Sequence, residues 1–320
     1  MSIKWGYSFT GFQGMHVGIK KEHNERNFKT VAACGYDGVE LQVGTGRMSP
    51  LGRPSMIDTV YGGAEEFRTY LEKLKAGPVI AWDYDPGAPC GEESCKTGRD
   101  ATDPAQHQGI AEALEPFAAY LQKLGGKYIP CRPMRQAWVL GPLTEEKIRN
   151  AADCWNKAGA VTAKYGVKIL LHIDWFCAAN DETVIDRLMA LTDPALVGLC
   201  LDTAELAMVG MDPTAVYEKH ADRVELFHFD QILTADTLQE RKEPFADMIM
   251  QTGGRREIDR WYWELGAPEG PGLVDHEKLM KAIRAHGYDG WIIVETRQTP
   301  DAHASAMFSS WYVNHVLKKI

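Results

Sequence analysis

The chain has 320 residues, a formal net charge of −9, 45% hydrophobic and 25% charged residues; these values allow one large core and exclude the low-hydrophobicity, high-charge signature of a disordered chain. No Lys/Arg-rich stripe is present to neutralise phosphates, so the acidic balance argues against a nucleic-acid partner. The seven cysteines are odd in number and include no C-x-x-C pair, which indicates neither a disulfide framework nor a zinc knuckle and points to a reducing cytoplasm.

Met1 runs straight into the strand-like IKWGYSF (3–9), with no basic n-region, apolar h-region or cleavage site. No later apolar run approaches the about 18 residues of a membrane span, so neither secretion nor spanning is expected. DGVELQV (37–43) is the second predicted strand, followed by a Gly- and Pro-rich stretch over 44–63 that reads as a long loop. The apolar spacing of EEFRTYLEKLK predicts a helix, and PVIAWDY (78–84) a third strand. A second long polar loop covers 85–103, before the helical AEALEPFAAYLQKL. KYIPCR (127–132) is the weakest strand, because Pro130 removes a ladder donor.

A long helix is predicted over EEKIRNAADCWNKAGAVTAKY, with Thr144 as N-cap and Glu145 and Glu146 in the first turn, where the helix dipole favours negative charge. Strand VKILLHIDW (167–175) precedes helix ETVIDRLMAL, which Asp181 caps. Strands VGLCLDT (197–203) and VELFHFD (224–230) follow, then an insert over 231–263 whose aromatics could cover a site. Helix HEKLMKAIRAHG and strand GWIIVET (290–296) complete the set. Gly125, Gly166 and Gly287 each stand between a helix and the next strand, where φ can turn positive. Repetition of helix, glycine, strand generates βαβ units, so the expected fold is α/β: one (β/α)8 TIM barrel over residues 1–320. The long βα loops after strands two, three and seven then fall on the face where such barrels build their sites.

Asp202 in GLCLDT, His228 in ELFHFD and Glu295 in IIVETR stand at the ends of otherwise apolar strands. Each alone reads as an N-cap, an ion-paired acid or a satisfied core histidine; three at matching strand ends are better explained by a shared cation. Carboxylate oxygens with an imidazole nitrogen and no thiolate favour Mn²⁺, with Mg²⁺, Co²⁺ or Zn²⁺ as alternatives. Glu40, Trp82, Asp83 and Arg132 lie at the ends of earlier strands, where sugar hydroxyls and ring faces could meet them. Arg297 could neutralise an anionic intermediate or pair with an acid. His107, His220 and His303 read as helix or surface residues without a role.

On these residues the chain resembles the xylose-isomerase-like sugar isomerase/epimerase superfamily, which includes ketose 3-epimerases, hydroxypyruvate isomerase and inosose dehydratase. The resemblance spans most of the chain and rests on LDTAE, HFD and the closing GYDGWIIVETRQTP, the last looking especially like inosose dehydratase. It implies metal ligands at Asp202, His228 and Glu295, with Asp230 and Glu205 near the substrate. In the family an acid on strand five completes the ligand set. Here that position is His172, with Asp174 two residues on and on the same strand face. Either His172 binds the metal and Asp174 acts as base, or Asp174 reaches the metal and His172 moves protons. Glu205 also departs from the pattern, since epimerases show His there.

The expected chemistry is proton abstraction beside a carbonyl of a keto-sugar, keto-inositol or 3-keto-glycoside, by His172, Asp174 or Glu295, with a metal ion stabilising the negative charge. His172 tilts the expectation from epimerisation toward elimination, because a histidine can also protonate a leaving group. Inosose-dehydratase-like and C-glycoside-deglycosidase-like eliminations both fit, the latter implying a small β-sandwich partner subunit; otherwise a homo-oligomer is expected. Ketose epimerisation or isomerisation, and a non-catalytic carbohydrate-binding barrel, are the alternatives. The apurinic endonucleases that share this barrel use more metal ligands and a basic face, which this sequence lacks.

Overall fold

The computed structural model describes residues 3–12, 21–43, 51–84, 99–242, 262–266, 272–297, 299 and 301–320. Its strands are β1 (Lys4–Ser8), β2 (Gly38–Gln42), β3 (Val79–Asp83), β4 (Tyr128–Cys131), β5 (Lys168–His172), β6 (Val197–Asp202), β7 (Val224–Phe229), β8 (Gln231–Ile232), β9 (Tyr262–Trp263) and β10 (Trp291–Val294). Strands β1 to β7 and β10 pair in sequence order and β10 pairs back to β1, closing a parallel eight-stranded barrel. Each expected barrel strand is present, including β4, where Pro130 lies opposite Leu170 and its carbonyl accepts from Tyr84 N–H at 2.9 Å.

Helices α1 (Lys21–Ala33), α2 (Pro54–Tyr61), α3 (Ala64–Leu74), α4 (His107–Leu124), α5 (Ala137–Leu140), α6 (Glu145–Thr162), α7 (Glu182–Leu191), α8 (Thr203–Met208), α9 (Pro213–His220), α10 (His276–Ala285) and α11 (Ala302–His315) surround it. The expected caps are in place: Thr144 Oγ1 accepts from Lys147 N–H at 3.3 Å and Asp181 Oδ1 from Thr183 N–H at 2.9 Å. Gly125, Gly166 and Gly287 take φ of 85°, 68° and 71°. One expectation is corrected. The stretch over 44–63 is not all loop, because α2 starts at Pro54, whose fixed φ and missing N–H suit a first helical turn. Residues 44–50, most of the 85–103 loop and 243–261 of the later insert lie outside the described residues; the insert's start pairs β8 antiparallel to β9.

Strand alternation divides the barrel interior into layers. Ile80, Ala81, Leu170, Cys200, Leu226 and Ile293 form an apolar floor. Gly6 and Gly38 face Ile80: a Cβ on Gly6 would stand 2.6 Å from Ile80 Cδ1, and one on Gly38 2.7 Å from the Pro78 oxygen. Two residues further along the same strands, Ser8, Glu40, Asp83, His172, Asp202, His228 and Glu295 form a buried polar layer above that floor. Among the described residues no helix is long and apolar enough to cross a membrane.

Candidate active site

The polar layer is set by strand register. Asp202 lies opposite His228 and His228 opposite Ile293, while Glu295 N–H donates to Phe229 O at 2.9 Å just beyond the end of β10. These contacts bring Asp202, His228 and Glu295 together with ligand atoms all within 4.8 Å of one another. Asp202 serves two purposes. Its Oδ1 caps α8 by accepting from Glu205 N–H at 2.9 Å, leaving Oδ2 3.0 Å from His172 Nε2 and 3.6 Å from His228 Nδ1.

His228 Nε2 lies 3.0 Å from Glu40 Oε2. Its Nδ1 is buried and makes no hydrogen bond, although Glu295 Oε2 is 3.2 Å away. A buried nitrogen left without a partner beside carboxylate oxygens is the arrangement a cation would satisfy. The donor set fits a divalent ion.

His172 sits between two acids, with Nδ1 3.1 Å from Asp174 Oδ1 and Nε2 3.0 Å from Asp202 Oδ2. Asp174 also accepts from Arg132 Nε, and Arg132 Nη1 reaches Asp83 at 3.1 Å. Asp174 therefore faces Arg132 and His172, and its carboxylate is not part of the Asp202–His228–Glu295 convergence. Arg297 faces the acids of the last strands: Nη2 is 2.6 Å from Glu205, 3.2 Å from Asp202 and 3.4 Å from Asp230, and Nε is 3.1 Å from Glu295. Asp230 Oδ1 accepts from Ala204 N–H at 2.9 Å, and Trp175 N–H donates to Glu205.

Burial penalises every charge in this layer, so the protonation pattern follows the partners. Burial opposes the imidazolium of His172, yet Asp174 and Asp202 outweigh it and hold its pKa well above the usual value. Burial also opposes that of His228, but Cys200, Glu40 and Asp202 raise it well above normal. Against the cost of burial, the hydrogen bond with His172, the nearby His228 and the charge of Arg297 hold Asp202 well below the carboxylate range. Arg297 and His228 bring Glu295 down to about 2, again against burial. Burial raises Glu40, and burial with the adjacent Asp202 charge pushes Asp230 well above normal.

One expected substrate contact is placed elsewhere. Trp82 is fully buried on the outer side of β3, its ring edge-on to Phe117 at 5.2 Å and Tyr120 at 6.0 Å, both on α4. A register shift opposite Val39 and Glu40 turns both Ile80 and Ala81 into the floor, after which Trp82 points outward and Asp83 inward. Glu40 meets His228, Glu205 and Asp230 meet Arg297 beside Asp202 and Glu295, and Arg132 meets Asp83 and Asp174. His107 Nε2 lies 3.0 Å from Ala101 O and His220 Nε2 2.9 Å from Asp186 Oδ1, both away from the cluster.

Three residues went unread in the sequence. Cys200 lies under the cluster, its ligand atom within 4.8 Å of those of His172 and His228, and burial keeps its thiol pKa raised. Thr10 Oγ1 donates to Glu295 Oε1, and Ser8 Oγ lies 2.7 Å from Thr10 Oγ1. For two of them the signal was strand period, since Cys200 precedes Asp202 by two and Ser8 follows Gly6 by two; Thr10 lies past β1 in the 3-10 turn Phe9–Phe12.

Comparison with known proteins accords with this architecture. The chain is similar to an inosose dehydratase of Clostridium beijerinckii, 34% identical over 156 residues that cover 49% of each protein. It spans about half the length of the first curated relatives it matches. A solved L-ribulose 3-epimerase superposes with a TM-score of 0.70 at 15% identity, over 100% of this chain and 95% of the other. The IOLI protein with a bound zinc atom gives 0.70 at 14% identity, over 99% of each chain. At such identities the two structures show the fold alone. The family model described as the xylose isomerase-like TIM barrel matches residues 28–310, and the chain belongs to that family.

Proposed function

We propose that the protein is a divalent-metal-dependent lyase that removes the proton beside the carbonyl of a keto-inositol or related keto-sugar and expels a β-substituent. The observation that carries this reading is the convergence of Asp202, His228 and Glu295 at the C-terminal mouth of the barrel, with His228 Nδ1 buried and unsatisfied. The similarity to proteins named inosose dehydratase supports elimination as the outcome.

Asp202, His228 and Glu295 would hold the ion, with Mn²⁺ favoured by their two carboxylates and one imidazole. When bound it supplies Lewis-acid stabilisation of negative charge at the substrate carbonyl. The Glu295 carboxylate, ionised beside Arg297, takes the proton from carbon. His172 is held as the imidazolium by Asp174 and Asp202, which suits it to protonate the departing hydroxyl. Asp174 acts through His172 rather than on the substrate. Asp230, whose pKa burial raises, stands with Glu205 on Arg297, and Arg132 pairs with Asp83 near the same mouth.

The test is metal analysis of purified protein, then assay of EDTA-treated and Mn²⁺-restored protein on inosose, ketohexoses and 3-keto-glycosides. NMR of the products separates elimination from epimerisation. Turnover should require Mn²⁺ and fail in Glu295→Gln. Protein without metal whose Glu295→Gln variant keeps full turnover would sink the reading.

A further inference from the structure

Glu40 was expected at the substrate, but its chemistry in the fold is directed elsewhere. It lies on the β2 face that carries Gly38 in the floor, and its Oε2 meets His228 Nε2 at 3.0 Å. Both side chains are at most 1% exposed, so water does not compete for the contact. Nε2 makes this hydrogen bond, whereas Nδ1 makes none and stands 3.2 Å from Glu295 Oε2 and 3.6 Å from Asp202 Oδ2. A histidine that ligates a metal through one ring nitrogen donates the N–H of the other to a neighbouring carboxylate, and Glu40 is placed to accept it.

We propose that Glu40 is a positioning residue for the metal centre: it fixes the Nε2–H tautomer and ring orientation of His228, so that Nδ1 faces the ion. The inference rests on the metal reading above and adds to it the residue that prepares the ligand. Carboxylates that accept the distal N–H of a ligating histidine raise its basicity, and losing one weakens metal binding about 10- to 100-fold.

The experiment measures Mn²⁺ affinity from the EPR signal of the free ion, on wild-type protein, Glu40→Ala and Glu40→Gln, each stripped with EDTA. Wild type binds; Glu40→Ala binds about 10- to 100-fold more weakly. Glu40→Gln, whose amide oxygen still accepts from Nε2 but carries no charge, recovers part of the loss. Equal affinity in all three proteins overturns the proposal while leaving the metal reading intact, whereas wild type that binds no Mn²⁺ overturns both. Should Glu40→Ala fail to fold, ¹⁵N NMR of Zn²⁺-loaded wild type decides. The ring proton of His228 belongs on Nε2 with the metal shift on Nδ1, and the reverse assignment rejects the role of Glu40.

Discussion

Arg297 Nη2 lies 2.6 Å from Glu205 Oε1, and the same guanidinium faces Asp202, Asp230 and Glu295. One guanidinium thus contacts four buried acids that belong to three different strand ends. Removing one partner of a buried ion pair costs about 3–5 kcal/mol, because the remaining charge stays buried without compensation. Arg297→Met should destabilise EDTA-treated protein by about that amount, and Mn²⁺ should return a larger share of stability to the variant than to wild type. Urea unfolding followed by circular dichroism, with and without Mn²⁺, checks both. A variant as stable as wild type without metal would show that the acids are balanced in another way.

Metal binding should itself appear as stability. At an ion concentration of 100 times Kd, a ligand that binds only the folded state adds about 2.7 kcal/mol. Asp202→Asn separates the two tasks of that residue, since asparagine still caps α8 through Glu205 N–H but offers no anionic ligand. The variant should lose the Mn²⁺ increment, read against its own metal-free form, because the charge lost beside His172 and Arg297 also lowers stability without metal. An intact increment would remove Asp202 from the ligand set.

His276 predicts an acid-side loss of stability. Burial, beneath its bond to Asp230 O at 3.0 Å, lowers its pKa from 6.5 to about 4. The folded protein holds it neutral, so as pH falls below about 6.5 the unfolded chain takes up a proton first. Its contribution is complete above that pH, declines through the window and is gone below about 4, a total on the order of 3 kcal/mol. His276→Gln keeps an amide donor and cannot titrate. Unfolding curves at pH 7, 5.5 and 4.5 should therefore fall less steeply for the variant, and parallel curves would refute the assignment.

The floor can be tested by overpacking. Gly6→Ala places a methyl 2.6 Å from Ile80 Cδ1 and 2.7 Å from Ile293 Cδ1, a clash worth about 1–3 kcal/mol. Adding Ile80→Val removes one of the two atoms and should recover part of the loss. Additive effects in the double-mutant cycle would mean the contact is absent.

Trp82→Phe separates packing from substrate contact. The Trp82 ring lies on Phe117 and Tyr120 rather than at the mouth. The variant should lose stability and leave the KM for the substrate of the wild-type protein unchanged; a large rise in KM would return Trp82 to the site.

The barrel was legible because its strands are short apolar runs separated by helix and glycine, and a closed parallel sheet buries both faces of each. Asp202, His228 and Glu295 could be read for the same reason: a charged residue at the end of such a run stands out. Elements of weaker contrast were harder. In α1, only a narrow set of apolar residues such as Phe28 and Val31 breaks a polar sequence, and in α11 the exposed Met307, Phe308 and Trp311 blur the helical period. The α2 residues sit among glycines and prolines that advertise a loop, and Pro54 marks a helix start only once the helix is known.

Within the site, neighbours along one strand were easier to place than partners across the barrel. Trp82 and Asp83 are adjacent and point to opposite faces, which period two already requires. By contrast, nothing local to Glu40 indicates that its partner is His228, 188 residues later. Their meeting follows from closure of the barrel, as does the donation from Thr10 to Glu295, 285 residues apart.

The seal formed by Ile80, Leu170, Leu226 and Ile293, with Ile80 lodged against two glycines, closes the barrel beneath the polar layer. An ion seated at Asp202 and His228 has no exit through the bottom, so uptake, exchange and chelation share one route with the substrate. A bound substrate should then slow stripping of the ion by EDTA, in the manner of a stopper in a one-necked flask.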